Sequence, residues 1–222
     1  MQKIILTTSD NVKIHGVYFS VGKENSPAVV LLHMMPATKE SWHDFQEELA
    51  LTGFNSLAID FRGHGESILK DEKIINYQNF TAAEQCEKIN DVESAVEFLE
   101  ERGIPKGKIS LIGASIGANL ALQYMSNNKE IKSSVLISPG LDYRGVMTED
   151  NILKLSIDQS VLMASGGDQD SYSRISVKKL FNMIKVKKDM HIFEDASHGT
   201  EIFKIHPEFK GEIINWLKSN NL

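Results

Sequence analysis

The stretch Gly113-Ala114-Ser115-Ile116-Gly117 places one serine between two glycines at the spacing Gly-x-Ser-x-Gly. An apolar run, Ile109-Ser110-Leu111-Ile112, leads into it, and good helix formers, Ala118-Asn119-Leu120-Ala121-Leu122, lead out. A strand that reverses into a helix within so few residues leaves Ser115 at the tip of a strained turn. There it stands beside a helix N-terminus, whose free N–H groups and positive dipole end favour a developing oxyanion. The chemistry this suits is nucleophilic acyl transfer, with the Ile116 N–H as first oxyanion donor. A phosphate-cradling turn is the competing reading, but no lysine follows at the phosphate-loop position and the spacing is not Gly-x-Gly-x-x-Gly.

A serine hydroxyl is a weak nucleophile without a base, and the base needs a group that orients it. Of the seven histidines, His198 alone follows a strand-like segment (Met190–Glu194) in a loop of small residues, Ala196-Ser197-His198-Gly199. Candidate acids follow the strand-like Ser160–Ser165 in Gly166-Gly167-Asp168-Gln169-Asp170, and ligands in open α/β sheets bind beyond such strand ends. Asp168 and Asp170 both fit at this level, and each could instead cap a helix or form a turn. Other chemistry-bearing residues read as structural. His33 suits a loop support, and Cys86 a small core residue. In Asp60-Phe61-Arg62-Gly63-His64-Gly65-Glu66-Ser67 the glycines mark a tight turn, with Arg62 free to pair with Asp60 or Glu66. Asp195 and His198 lack further His or Cys at ligand spacing, so no metal is expected.

The elements that must position these residues alternate along the chain. Residues 3–8 and 12–19 form an opening hairpin about Asp10-Asn11. Ala28–Leu32, Asn55–Asp60, Lys108–Ala114, Ser133–Pro139 and Ser160–Ser165 read as buried strands of a parallel sheet. Between them, Thr38-Lys39-Glu40-Ser41 opens a helix with Trp42, Phe45, Leu49 and Leu51 near one face. Thr81-Ala82-Ala83-Glu84 is a capping box for a long helix carrying Ile89, Val92, Ala95, Val96 and Leu99. Helices from about 173 to 184 and 208 to 219 complete the set. Strand and helix in alternation predict an α/β architecture with right-handed crossovers. The segment from Gly140 to Gln159 is too short for a helical cap domain. Leu141, Tyr143, Val146 and Met147 are its candidates to line a pocket.

The 222 residues suit a single domain spanning 1–222. A net charge of −6 leaves no basic footprint for nucleic acid. The N-terminus turns polar too early for a signal peptide, and no apolar run approaches a membrane span. One cysteine permits no internal disulfide, and the expectation is a cytoplasmic protein, monomer or homodimer, acting on a small-molecule acyl substrate.

Taken in order, Leu32-His33-Met34-Met35-Pro36, Asp60–Ser67, the Ser115 turn, Gly166-Gly167-Asp168 and Ser197-His198-Gly199 resemble the α/β-hydrolases. The resemblance is nearest to small dienelactone-hydrolase-like proteins and acyl esterases without a large cap. It implies a mostly parallel, about eight-stranded twisted sheet with helices on both faces and minimal or no cap. It also implies a Ser115, Asp168, His198 triad, Asp168 fitting the family spacing ahead of Asp170, and no cofactor. The second oxyanion donor would come from the loop after His33, with Met35 first and Met34 as the alternative. Met34 stands where the family usually has Gly. The implied activity is hydrolysis of carboxylic esters. Thioester, amide or peptide hydrolysis, acyl or perhydrolytic transfer, and a non-catalytic binding protein on the same fold are the rivals, and Ser115 in place of Cys speaks against dienelactone hydrolysis itself.

Overall fold

The computed structural model describes residues 1–221. Eight strands of five to eight residues carry the sheet: β1 (Gln2–Thr7), β2 (Val12–Phe19), β3 (Ala28–Leu32), β4 (Asn55–Ile59), β7 (Ile109–Ala114), β8 (Ser133–Ile137), β11 (Ser160–Gly166) and β12 (Lys187–Phe193). They lie in the order β1-β2-β4-β3-β7-β8-β11-β12. β2 is antiparallel to both neighbours, and every later pairing in that row is parallel. Two two-residue strands, β5 (Leu69–Lys70) and β6 (Lys73–Ile74), extend β2 and bring the sheet to ten among the described residues.

The central strands are apolar on both faces because helices cover both. In β3, Ala28, Val30 and Leu32 join one core, while Val29 and Leu31 join the other. The first core takes α3 (Ile89–Glu100), α4 (Ile116–Asn127) and α6 (Ser171–Met183), through Val92, Val96, Leu120, Val177 and Leu180. The second takes α1 (His43–Leu51) and α8 (Phe209–Asn221), through Phe45, Leu49, Ile213 and Leu217. Such alternation is what a sheet sandwiched between helix layers demands.

Two local expectations change. Trp42 lies in a short 3-10 turn before α1, and Leu51 is 88 % exposed. Phe45 and Leu49, one turn apart, already fill the inward face, so Leu51 points away. The long helix after Thr81 is broken. The capping box is present, but α2 (Ala82–Cys86) stops and α3 begins afresh at Ile89, with Lys88 turned inward between them.

From Gly140 onward, a hairpin of β9 (Asp142–Tyr143) and β10 (Val146–Met147) and the five-residue α5 (Glu149–Leu153) roof the C-terminal strand ends. Asn119, on α4 one turn past Ser115, holds both legs. It accepts from the Gly140 N–H (3.0 Å) and donates to the Val146 carbonyl (2.7 Å). Among the described residues no helix is long and apolar enough to cross a membrane.

Candidate active site

Ser115 sits between β7 and α4 with φ 55° and ψ −123°, a left-handed region that costs a non-glycine residue about 1–3 kcal/mol. Two glycines make the turn possible. A Cβ on Gly113 would lie 2.1 Å from the Gly117 carbonyl oxygen, and one on Gly117 would lie 2.4 Å from that of Leu32. The second distance matters for function, because it shows α4 pressed against the end of β3, which brings the His33–Pro36 loop beside the serine. Ser115 is 7 % exposed.

The loop is held from below by His33. Its Nδ1 lies 2.8 Å from the Met34 carbonyl, and its Nε2 accepts the Phe61 N–H at 3.0 Å. Those two bonds specify a neutral imidazole protonated on Nδ1. Burial agrees, pushing its pKa down to about 4. Met34 and Met35 diverge. The Met34 thioether lies 2.4 Å from where a Gly199 Cβ would be, next to His198, whereas the Met35 sulfur faces Lys88 Nζ at 3.6 Å. Among the described residues, the N–H groups of Met34, Met35 and Ile116 donate to no protein acceptor.

His198 lies in the loop after β12, where its Nδ1 is 2.6 Å from Asp170 Oδ1. The partner is Asp170, not Asp168. After β11, a single 3-10 turn over Asp168–Asp170 precedes α6 and rotates the two carboxylates apart. Asp168, at the start of that turn, has a 98 % exposed side chain that pairs with Arg174 (2.9 Å). Asp170, at its end, is buried and folds back over the strand, accepting from the Gly166 N–H (3.0 Å) and the Ser138 hydroxyl (2.6 Å). Burial pulls its pKa up, but hydrogen bonds from His198 and Ser138 and the nearby imidazole outweigh it, so the carboxyl is held below the usual range.

Ser138 was not legible as a site residue. At φ 52° after β8 it accepts the Gly199 N–H (2.8 Å) while donating to Asp170, so one hydroxyl ties the histidine loop to the acid. Its only sequence signal is a serine closing a buried strand before Pro139.

Tyr143, on the hairpin, is the contact common to the remaining parts. Its ring stands edge-on to His198 with centroids 6.2 Å apart, and its hydroxyl lies 2.8 Å from Ser173 Oγ and 3.3 Å from the Ser138 carbonyl, with Ser115 nearby. Burial pushes its pKa up to about 12, so it remains a neutral phenol. Of the other pocket candidates, Val146 is buried and Met147 is exposed, and both belong to the hairpin's second strand.

The Asp60–Ser67 loop is structural, with partners other than those expected. Asp60 takes Lys39, whose Nζ lies 2.6 Å away and also reaches Glu66 at 2.7 Å. Arg62 pairs with Asp91 (2.8 Å), Asp10 (2.7 Å) and Glu87 (3.2 Å) instead of Asp60 or Glu66. His64 is buried and stacks on Tyr77 at 3.7 Å. Cys86 is a free, half-buried thiol packed against the core. Among the described residues no group of three His, Cys, Asp or Glu is placed to hold a metal ion.

Residues 27–162 match the family model described as alpha/beta hydrolase fold. Among curated proteins the chain is similar to the thiohydrolase aneE of Aspergillus aculeatus, 24% identical over 213 residues, covering 94% of this chain and 63% of that protein. It therefore spans less than two thirds of that relative. Among solved structures it superposes on the Pyrococcus furiosus esterase Pf2001 with TM-score 0.80 at 22% identity, covering 100% of this chain and 90% of the other. Est1E of Butyrivibrio proteoclasticus, solved with ferulic acid bound, gives TM-score 0.78 at 15% identity, with 97% and 99% covered.

Proposed function

From the premise that this chain belongs to the alpha/beta hydrolase fold family, we propose that it is a serine hydrolase of carboxylic esters carrying small or medium acyl groups. The observation that carries the reading is the buried Asp170 carboxylate on His198 Nδ1, at the same strand ends as the left-handed Ser115. With Nδ1 engaged, Nε2 is the basic nitrogen left to face the cleft. It takes the Ser115 proton as Oγ attacks the ester carbonyl, while Asp170 fixes the tautomer and stabilises the imidazolium. The Ile116 N–H and that of Met35, or alternatively Met34, receive the oxyanion, each donor contributing roughly 3–4 kcal/mol. Collapse of the tetrahedral intermediate breaks the bond to the alkoxy oxygen, which leaves with the proton from His198. Water then attacks the acyl-enzyme by the same route and releases the acid. Among the described residues the hydrogen bonds of His198 go to Asp170 and Ser173; the bond from Ser115 to its Nε2 forms when substrate arrives, as is usual for such centres.

The experiment is labelling with a fluorophosphonate probe, with the adduct located by mass spectrometry. An adduct on Ser115, lost in Ser115→Ala and much slowed in His198→Ala, supports the reading. Folded wild-type protein without an adduct overturns it and favours a non-catalytic binding role. Thioesters use the same residues, and the relative named a thiohydrolase favours their inclusion in the substrate panel that follows.

A further inference from the structure

We propose that Lys88, with Arg144 above it, forms a subsite for a carboxylate carried by the substrate, so that the preferred esters are acidic ones such as half-esters of dicarboxylic acids. The inference rests on the hydrolase reading above and narrows its substrate class.

Lys88 is 0 % exposed and has no carboxylate within ion-pair distance among the described residues. Its Nζ donates to the Gln85 side-chain oxygen at 2.6 Å and to the Met35 sulfur at 3.6 Å, and it stands 5.8 Å from the Phe61 ring centroid and 6.0 Å from that of Phe80. An ammonium has three protons to place, and a thioether is a weak acceptor. Burying a cation without an anion is costly, and burial pushes this amine's pKa down to about 7, so that it keeps only part of its charge at neutral pH and would regain the rest beside a carboxylate; a lysine kept there needs a reason. The nearest acid, Asp91, is committed elsewhere, Oδ1 to Arg62 Nε and Oδ2 to the Arg62 N–H, both at 2.8 Å.

The position supplies the reason. Met35 belongs to the loop that offers the second oxyanion donor, so the ammonium lies one side chain away from where the reacting carbonyl must sit. Methionine is unbranched and adaptable, and a substrate carboxylate can take the place of its sulfur as acceptor. On the opposite side, the hairpin turn packs on α2: a Cβ on Gly145 would lie 3.1 Å from Ala82 Cβ and 3.5 Å from Cys86 Sγ. That turn carries Arg144, exposed, at φ 55°, without an ion-pair partner among the described residues, and near enough to disfavour further positive charge at Lys88. Lys88 thus lies between the Met35 loop and the hairpin turn that carries a second, exposed cation. A carboxylate suits the site better than a phosphate dianion, because the apolar wall of Phe61, Phe80 and Met35 gives a second negative charge no buried partner, Arg144 being exposed.

The test compares monomethyl adipate with methyl hexanoate, matched in chain length, and reads the ratio of their kcat/KM values. Wild type is expected to favour the acidic ester by about tenfold or more. Lys88→Met should lower that ratio by about tenfold or more, Lys88→Arg should retain most of it, and Arg144→Ala should lower it by a few-fold, more at low salt. A wild-type ratio near one, or an unchanged ratio in Lys88→Met, overturns the subsite. If Lys88→Met does not fold, Lys88→Gln and Arg144→Ala carry the same comparison. If Ser115 takes no fluorophosphonate and neither ester is cleaved, the hydrolase reading fails on its own. The subsite is then read by adipate: a rise in wild-type Tm that is lost in Lys88→Met sustains it, and no rise overturns it.

Discussion

Two loops in this protein gather acids, bases and histidine at the ends of parallel strands, one after β4 and the other where β11 and β12 end. In the first, every charge is answered from within the fold. Asp60 receives Lys39, Arg62 receives three acids, and His64 lies buried against Tyr77. In the second, one buried carboxylate is answered by His198, whose side chain is 32 % exposed. A network sealed from solvent specifies a shape, whereas chemistry needs one left open to a substrate. Residue types alone do not separate the two cases, and neither does a spare valence, since His64 Nε2 also lacks a partner; what separates them is access, for His64 is sealed in the core and the His198 side chain is partly exposed.

Breaking the open network should cost activity and spare the fold. Asp170→Asn leaves His198 Nδ1 without its anion, and kcat should fall by about 10³–10⁴-fold while Tm changes by only a few degrees. Steady-state kinetics on an activated ester, beside a thermal melt, reads both. An activity loss below tenfold would remove Asp170 from the mechanism.

Breaking the closed network should do the reverse. Asp91→Ala strips the buried Arg62 of its fully buried partner and should destabilise by about 3–5 kcal/mol, a Tm drop of about 10 °C, with activity per folded molecule retained. Denaturant melts check the stability and active-site titration checks the activity.

The sequence singled out Ser115 and His198 as candidates because each sits in a local pattern whose order along the chain carries the meaning, and the structure puts both at the C-terminal ends of the parallel strands. It favoured Asp168 over Asp170, and His198 pairs with Asp170. Their fates differ by a single 3-10 turn, and the partners that decide, Ser138 and the Gly166 N–H, are brought there by the sheet. The sheet itself was readable from its apolar runs, since strands buried on both faces leave little else to read. The partners of Arg62 were not, because Asp10 and Asp91 are remote in sequence and meet it only through the register of β2 and the placement of α3. Tyr143 was visible as a pocket candidate, but its place over both Ser115 and His198 depends on Asn119 fixing the hairpin.

A smaller effect is expected from pH. His33 is neutral in the fold, with its pKa lowered from 6.5 to about 4. Between those values the unfolded chain binds the proton that the native state refuses, so stability should fall as pH drops from about 6.5 towards 4. In His33→Gln, which has no titrating imidazole there, the slope of Tm against pH over this range should be shallower. An equal slope would show that His33 is not its source. The smallest effect belongs to Asp168→Asn, which removes only a solvent-exposed pair with Arg174. Activity should change by less than about twofold and stability by under about 1 kcal/mol, so that two aspartates separated by one residue give opposite outcomes in the same assays.

The roof over the serine has a kinetic consequence. Asn119 bolts both legs of the hairpin to the helix that begins at Ser115, and the Thr148 hydroxyl donates to the Gly140 carbonyl at 2.8 Å, closing its base. A roof fastened there offers no hinge for the microsecond-to-millisecond opening that throttles lidded enzymes. Turnover on a poor ester should therefore be indifferent to solvent viscosity, and the pace should be set by bond making rather than by a door.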